Sequence, residues 1–134
     1  MINIQEVIVL ATLAVIGLTG CSEQSDDKAE NTTKQQDTSL RTAVEAYSDA
    51  YLTGDDASYS MLSQRCQERN DRVVWADLMK RTARIFGEAQ PLTSFDAQVS
   101  GDMARVTYTY ENTDINQTSE PWVREDGQWK EDDC

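Results

Sequence analysis

The hydrophobic period of this chain changes once, at Pro91, and that change decides the class of fold open to it. Before Pro91 apolar residues recur at threes and fours, and after it they alternate. The first period suits helices with one buried stripe, the second strands with one buried face. Helices followed by strands make an α+β domain in which the sheet covers the helices.

In the first half, Asp37, Thr38 or Ser39 caps a helix whose stripe is Leu40, Ala43, Val44, Tyr47 and Tyr51, and Gly54 stops it. Asp55 caps a short second helix presenting Tyr59, Leu62 and Cys66 on one side. Asn70 or Asp71 caps a third, in which Val74, Trp75, Leu78, Met79, Thr82, Ile85 and Phe86 keep helical spacing up to Gly87. Arg72, Lys80, Arg81 and Arg84 give this helix a basic side, which in so acidic a chain is expected to form ion pairs ahead of binding anions.

In the second half, Phe95, Ala97 and Val99 alternate with polar residues, Gly101-Asp102 permits a turn, and Val106, Tyr108 and Tyr110 alternate again. A third strand is expected from about Ile115 to Arg124, with Pro121 marking an edge or a bulge. Asp126-Gly127 then turns tightly into Gln128-Trp129-Lys130. The expected architecture is three N-terminal helices packed on a curved antiparallel sheet of about four strands.

Val7 to Gly20 is an uncharged run shorter than the roughly 20 apolar residues of a helical membrane span, and it suits the apolar region of a signal peptide. Leu18-Thr19-Gly20-Cys21 resembles the lipobox of bacterial lipoproteins. The resemblance implies cleavage between Gly20 and Cys21, a diacylglyceryl group on the Cys21 thiol, and an extracytoplasmic protein anchored to the cell membrane by lipid. An uncleaved signal anchor, or a buried apolar segment with a chance cysteine, is the competing reading. Residues 22–39 contain no large apolar side chain and read as a flexible tether. The expected organisation is therefore a signal peptide over 1–20, lipidated cysteine and tether over 21–39, and one domain over 40–134.

With Cys21 given to lipid, Cys66 and Cys134 remain as the intramolecular pair, and export favours their oxidation over two free thiols or a bridge between chains. A domain of about 95 residues builds one modest core, and chain-entropy estimates value such a bridge at roughly 4 kcal/mol. The whole chain holds 24 acidic and 12 basic residues, a formal charge of −12. Excess negative charge opposes nucleic acid and anionic lipid surfaces, so no nucleic-acid partner is expected. The acids are spread along the chain and serve solubility.

Ala43-Val44-Glu45-Ala46-Tyr47, Gly54-Asp55, Leu62-Ser63 leading to Cys66, and Trp122-Val123-Arg124-Glu125-Asp126-Gly127-Gln128-Trp129-Lys130 resemble small actinobacterial lipoproteins with a nuclear transport factor two-like, or SnoaL-like, domain. The resemblance covers 40–134 and implies a cystatin-like cone, in which the Trp-Val-x-x-Asp-Gly-x-Trp hairpin is structural. It implies a fold and no particular activity.

Cones of this kind also host isomerases, dehydratases and epoxide hydrolases, which place a carboxylate or histidine, often with a tyrosine, in the cavity. This chain has no histidine. A base would have to be a carboxylate with its pKa raised by burial, with Tyr47, Tyr51, Tyr59, Tyr108 or Tyr110 as donor. No spacing selects a pair, and the tyrosines read first as core residues. Asp96 and Asp102 suit exposed strand and turn positions. Glu131-Asp132-Asp133 and Asp55-Asp56 offer weak calcium ligands without the spacing of a dedicated loop, and read as solvated surface. Trp122 and Trp129 read as core, paired across the hairpin or sealing the cone against the third helix, ahead of ligand stacking.

No catalytic, cofactor-binding or metal residue is assigned, and the expected modified residues are Cys21, Cys66 and Cys134. The expected function is a lipid-anchored envelope protein with a non-enzymatic binding or structural role. Its partner is a small apolar molecule in the cone, a protein on the sheet, or a second copy through the sheet. The alternative is a small isomerase- or hydrolase-type enzyme using a buried carboxylate and tyrosine. An open cavity with a carboxylate in hydrogen-bond reach of a tyrosine favours the alternative, and a cone filled by aromatic side chains favours binding.

Overall fold

The switch of period at Pro91 coincides with the switch of backbone from helix to strand. The computed structural model describes residues 26–134, with side chains from residue 38 onward; the expected signal peptide and Cys21 lie outside the described residues. Among the described residues four α-helices come first: α1 (Asp26–Thr53), α2 (Ser58–Met61), α3 (Gln64–Arg69) and α4 (Arg72–Ile85). Four strands follow: β1 (Ser94–Ser100), β2 (Met103–Thr109), β3 (Gln117–Glu125) and β4 (Gln128–Glu131), with a 3₁₀ turn at Thr113–Ile115. The strands form one antiparallel sheet in the order β1-β2-β3-β4, so the class is α+β.

The helical half differs from expectation in three places. First, α1 begins at Asp26, so residues 26–39, expected as tether, continue the helix backwards. Lys, Ala, Glu and Gln in that stretch are good helix formers even without an apolar stripe. Second, among the described residues the helices number four and not three. The expected second helix is broken at Leu62, whose extended backbone forms a parallel bridge with Glu131 of β4. Ser63 then donates its N–H to the Glu131 carbonyl at 2.7 Å, and its side chain accepts from Cys66 N as the cap of α3. Pairing with the sheet outweighs helical continuity here.

Third, α4 buries Trp75, Met79 and Thr82, while Val74 and Ile85, expected on the core stripe, are 67% and 72% exposed. Leu78 is also exposed. The sequence carries two overlapping stripes at helical spacing, and only one of them faces the core. Asp71 caps α4, accepting from Val73 N and Val74 N at 2.8 and 3.1 Å.

Gly54 ends α1 as expected, with φ at +74°. Gly54 N bonds to Tyr51 O and Asp55 N to Ala50 O, the two bonds of a left-handed helix terminus. A Cβ at Gly54 would also collide with Met79 O and Ala83 Cβ, so the same residue permits close approach of α4.

On the sheet, Phe95 faces Tyr108, Ala97 faces Val106, and Ala104 faces Trp122, which places these side chains on the helix-covered face. Pro121 lies in an interior strand, so it is not an edge marker; β4 is short and ends at Glu131, opposite Trp122. The irregularity lies close by: the β2–β3 register shifts between Val106 and Tyr108, and Ser119 has a φ of +55°. Asp126 and Gly127, at φ +49° and +77°, form the expected tight turn.

Leu40, Val44, Tyr47 and Leu52 of α1 pack on Val106, Tyr108 and Trp122 of the sheet. The Tyr47 and Trp122 rings meet edge-on at 5.8 Å. Cys66 and Cys134 form a disulfide, with a Cα–Cα distance of 5.5 Å, and tie residue 134 to α3. Among the described residues no helix is long and apolar enough to cross a membrane.

Candidate functional site

Between α1, α4 and the inner face of the sheet lies a cavity of about 490 Å³. Its walls follow from the two periods. On α1, Tyr47 and Tyr51 lie one turn apart, with Ser48 between them on the sheet side. On β2, Tyr108 and Tyr110 are two residues apart and therefore share a face; their rings meet edge-on at 5.8 Å. Trp75 and Leu78 of α4, with Phe86 beyond its end, close another side.

Two carboxyl groups lie among these rings. Glu120 of β3 is 8% exposed, and its Oε2 accepts from Tyr108 Oη and from Trp122 Nε1, both at 2.8 Å. Burial raises its pKa above the usual carboxylate value, and the two hydrogen bonds only partly oppose this. Glu131 of β4 is 3% exposed and accepts from Asp133 N at 2.6 Å through Oε1. Burial, reinforced by the negative charge of Glu120, Asp133 and Asp132, pushes its pKa up to about 8.

Three of the tyrosines, Tyr47, Tyr108 and Tyr110, are held in their neutral form. Burial, then the charge of Glu131 and Glu120, drives the Tyr47 hydroxyl far above its ordinary pKa. Tyr108 moves the same way, through burial and then the neighbouring Glu120. Burial also raises Tyr110, whose hydroxyl is hydrogen-bonded to Ser48. The arrangement supplies fixed hydroxyl and indole donors, two carboxyls that charge late, and a wall of aromatic rings.

Of the tyrosines considered from sequence, Tyr47, Tyr51, Tyr108 and Tyr110 come together here. Tyr59 does not: its hydroxyl donates to the carbonyls of Gln67 and Asn70, and its ring lies under the Arg72 guanidinium at 4.6 Å. Asp96 and Asp102 are exposed and are not among the residues that line the cavity. Glu131, expected as solvated surface together with Asp132 and Asp133, is instead buried, because it stands two residues from Trp129 on the inward phase of β4.

Asp132 is engaged by Ser63 and Arg65, and Asp56 by Arg72 at 2.6 Å. Lys80 pairs with Asp77 at 3.2 Å, so part of the basic side of α4 is taken up by ion pairs. Among the described residues no group of three or more acidic or cysteine side chains is placed to hold a metal ion. Trp122 and Trp129 do not pair with each other. Trp122 packs on Tyr47, and Trp129 lies under Arg124 at 4.5 Å.

Glu120 and Ser48 are missing from the sequence-level candidates. Glu120 had a signal: on an alternating strand it keeps phase with Trp122, so it was bound to point inward. Ser48 lies one position round the helix from the apolar stripe and carries none. No protein-family model matches this sequence, and no curated protein matches it either.

Proposed function

We propose that this chain is an envelope protein held at the outer face of a membrane through lipid on Cys21, and that its domain binds a small molecule without transforming it. The observation that carries the binding role is the cavity of about 490 Å³ with two buried carboxyl groups among aromatic rings. Sites for small molecules are concave and mostly apolar, with a few polar groups that fix orientation. The Cys66–Cys134 bond supports an oxidising compartment. Helices followed by a sheet that they cover on one face, with a cavity between, support reading 40–134 as a nuclear transport factor two-like cone.

A second reading, an isomerase- or hydrolase-type enzyme, is favoured by one observation. Tyr108 Oη lies 2.8 Å from Glu120 in the cavity, the pairing expected of a carboxylate and tyrosine that act together. Binding is preferred because Tyr108 and Trp122 both donate to one oxygen of Glu120 and hold that carboxyl as a fixed acceptor, and the chain has no histidine to relay a proton beside it.

Native mass spectrometry of the full chain purified from its own envelope tests both readings. Binding predicts a small-molecule adduct that survives incubation unchanged and is lost when Ser48→Phe fills the cavity. Absence of any adduct overturns binding, and recovery of a chemically altered molecule moves the assignment to the enzyme. The anchor is tested separately with labelled fatty acid: label absent from the chain, or retained after Cys21→Ala, overturns it.

A further inference from the structure

We propose that the ligand of this cavity is a small organic cation: an ammonium group on an apolar or aromatic body, its charge seated against Glu120 and Glu131 and its body against the rings of the wall. The inference rests on the small-molecule reading above and adds the chemical class of the ligand.

Charge is the first argument. Among the described residues the lining contains Asp114, Glu120, Glu131 and Asp133 and no lysine or arginine. Arg124 and Arg65, on neighbouring elements, do not line the cavity and have contacts of their own. Arg124 lies over the Trp129 ring and reaches Asp102 at 3.9 Å, and Arg65 bonds to Asp132 at 3.1 Å. Buried carboxylates without a cation are costly, and burial raises the pKa of both, so a positive charge seated beside them would favour their ionised form.

Acceptor capacity is the second. Glu120 uses only Oε2, for Tyr108 and Trp122, and Glu131 only Oε1, for Asp133 N. Oε1 of Glu120 and Oε2 of Glu131 have no hydrogen-bond partner among the described residues. A neutral apolar ligand would leave both oxygens desolvated and unmatched, and an anion would meet four carboxyls. An ammonium group satisfies both.

Ring geometry is the third. Tyr47 and Tyr51 are tilted at 41° with centroids 5.9 Å apart, and Tyr51 meets Trp75 at 66° and 6.2 Å. All three rings line the cavity, and a cation placed over the face of such a ring is attracted by it.

Calorimetric titration of the full chain, at a pH above the Glu131 pKa of about 8, compares three probes. They are tyramine in its ammonium form, its carbon isostere 4-propylphenol, and the anion 3-(4-hydroxyphenyl)propanoate. The cation is expected to bind at least about tenfold more tightly than the isostere, and the anion more weakly than either. Replacing both carboxyls, Glu120→Gln with Glu131→Gln, is expected to bring the cation down to the isostere's affinity and leave the isostere unchanged. Where that variant does not fold, the wild-type comparison decides alone. Equal or tighter binding of the phenol or the anion overturns the cation assignment and leaves a binding cavity standing. No binding of any probe overturns both.

Discussion

Tyr108 and Glu120 stand on neighbouring strands as diagonal partners, and the irregular step between them sets their 2.8 Å hydrogen bond. Glu120 is opposite Val106, while two residues on Tyr108 is opposite Gln117, because the chain bulges near Ser119. The bulge brings a hydroxyl over a carboxyl that would otherwise lie buried with only the Trp122 indole for a partner.

Tyr108→Phe removes that donor without changing the ring. The domain is expected to lose about 1 to 2 kcal/mol, and the Glu120 pKa to rise further, since the bond it loses favours the charged form. Urea unfolding and carboxyl titration by NMR measure the two effects.

Glu131 makes stability depend on pH in an unusual direction. Its pKa is about 8 when folded, against 4.5 as a free side chain. Below 4.5 both states hold the proton and the residue is neutral to stability. As pH rises toward 8 the unfolded chain ionises first and gains, so the folded state weakens progressively, then levels off. The loss is on the order of 3 to 5 kcal/mol at full extent. Glu131→Gln is expected to unfold at the same urea concentration as wild type in acid and at a higher one in mild alkali. Parallel curves at both pH values would contradict the burial of this group.

Reducing Cys66–Cys134, or replacing both cysteines by serine, opens a loop spanning a sequence separation of 68. The expected loss is about 4 kcal/mol. Arg65 and Arg69 also hold the Cys134 carbonyl, so the tail is expected to fray only after the bond is gone. Thermal unfolding with and without reductant reads the difference.

Gly54→Ala faces two obstacles at once, a left-handed backbone and a collision with Met79 O and Ala83. A cost of at least about 2 kcal/mol is expected. Gly127→Ala, at a similar φ but with nothing within 4 Å, is expected to cost less. Comparing the two variants separates backbone strain from packing.

The order of the elements was legible because period and caps are local. Pro91, Gly54, Asp71 and Asp126-Gly127 each act where the sequence places them. The break at Leu62 was not, since its cause is a strand more than sixty residues away. Nor could the sequence choose between the two stripes of α4, because both have helical spacing and only the position of α1 decides. At the site, the tyrosines and the inward phase of Glu120 and Glu131 were within reach of pattern reading. Their meeting was not, for it depends on the bulge at Ser119 and on which helix lies across the sheet.

The two margins of the sheet are unequal. At one, β4 is four residues long and its last residue is already matched by Leu62. At the other, β1 offers seven residues with no neighbour beyond it among the described residues. Any extension of this sheet by a foreign strand would therefore begin at β1, where Ser94, Asp96, Gln98 and Ser100 line the solvent side and a charge in mid-strand discourages uninvited pairing.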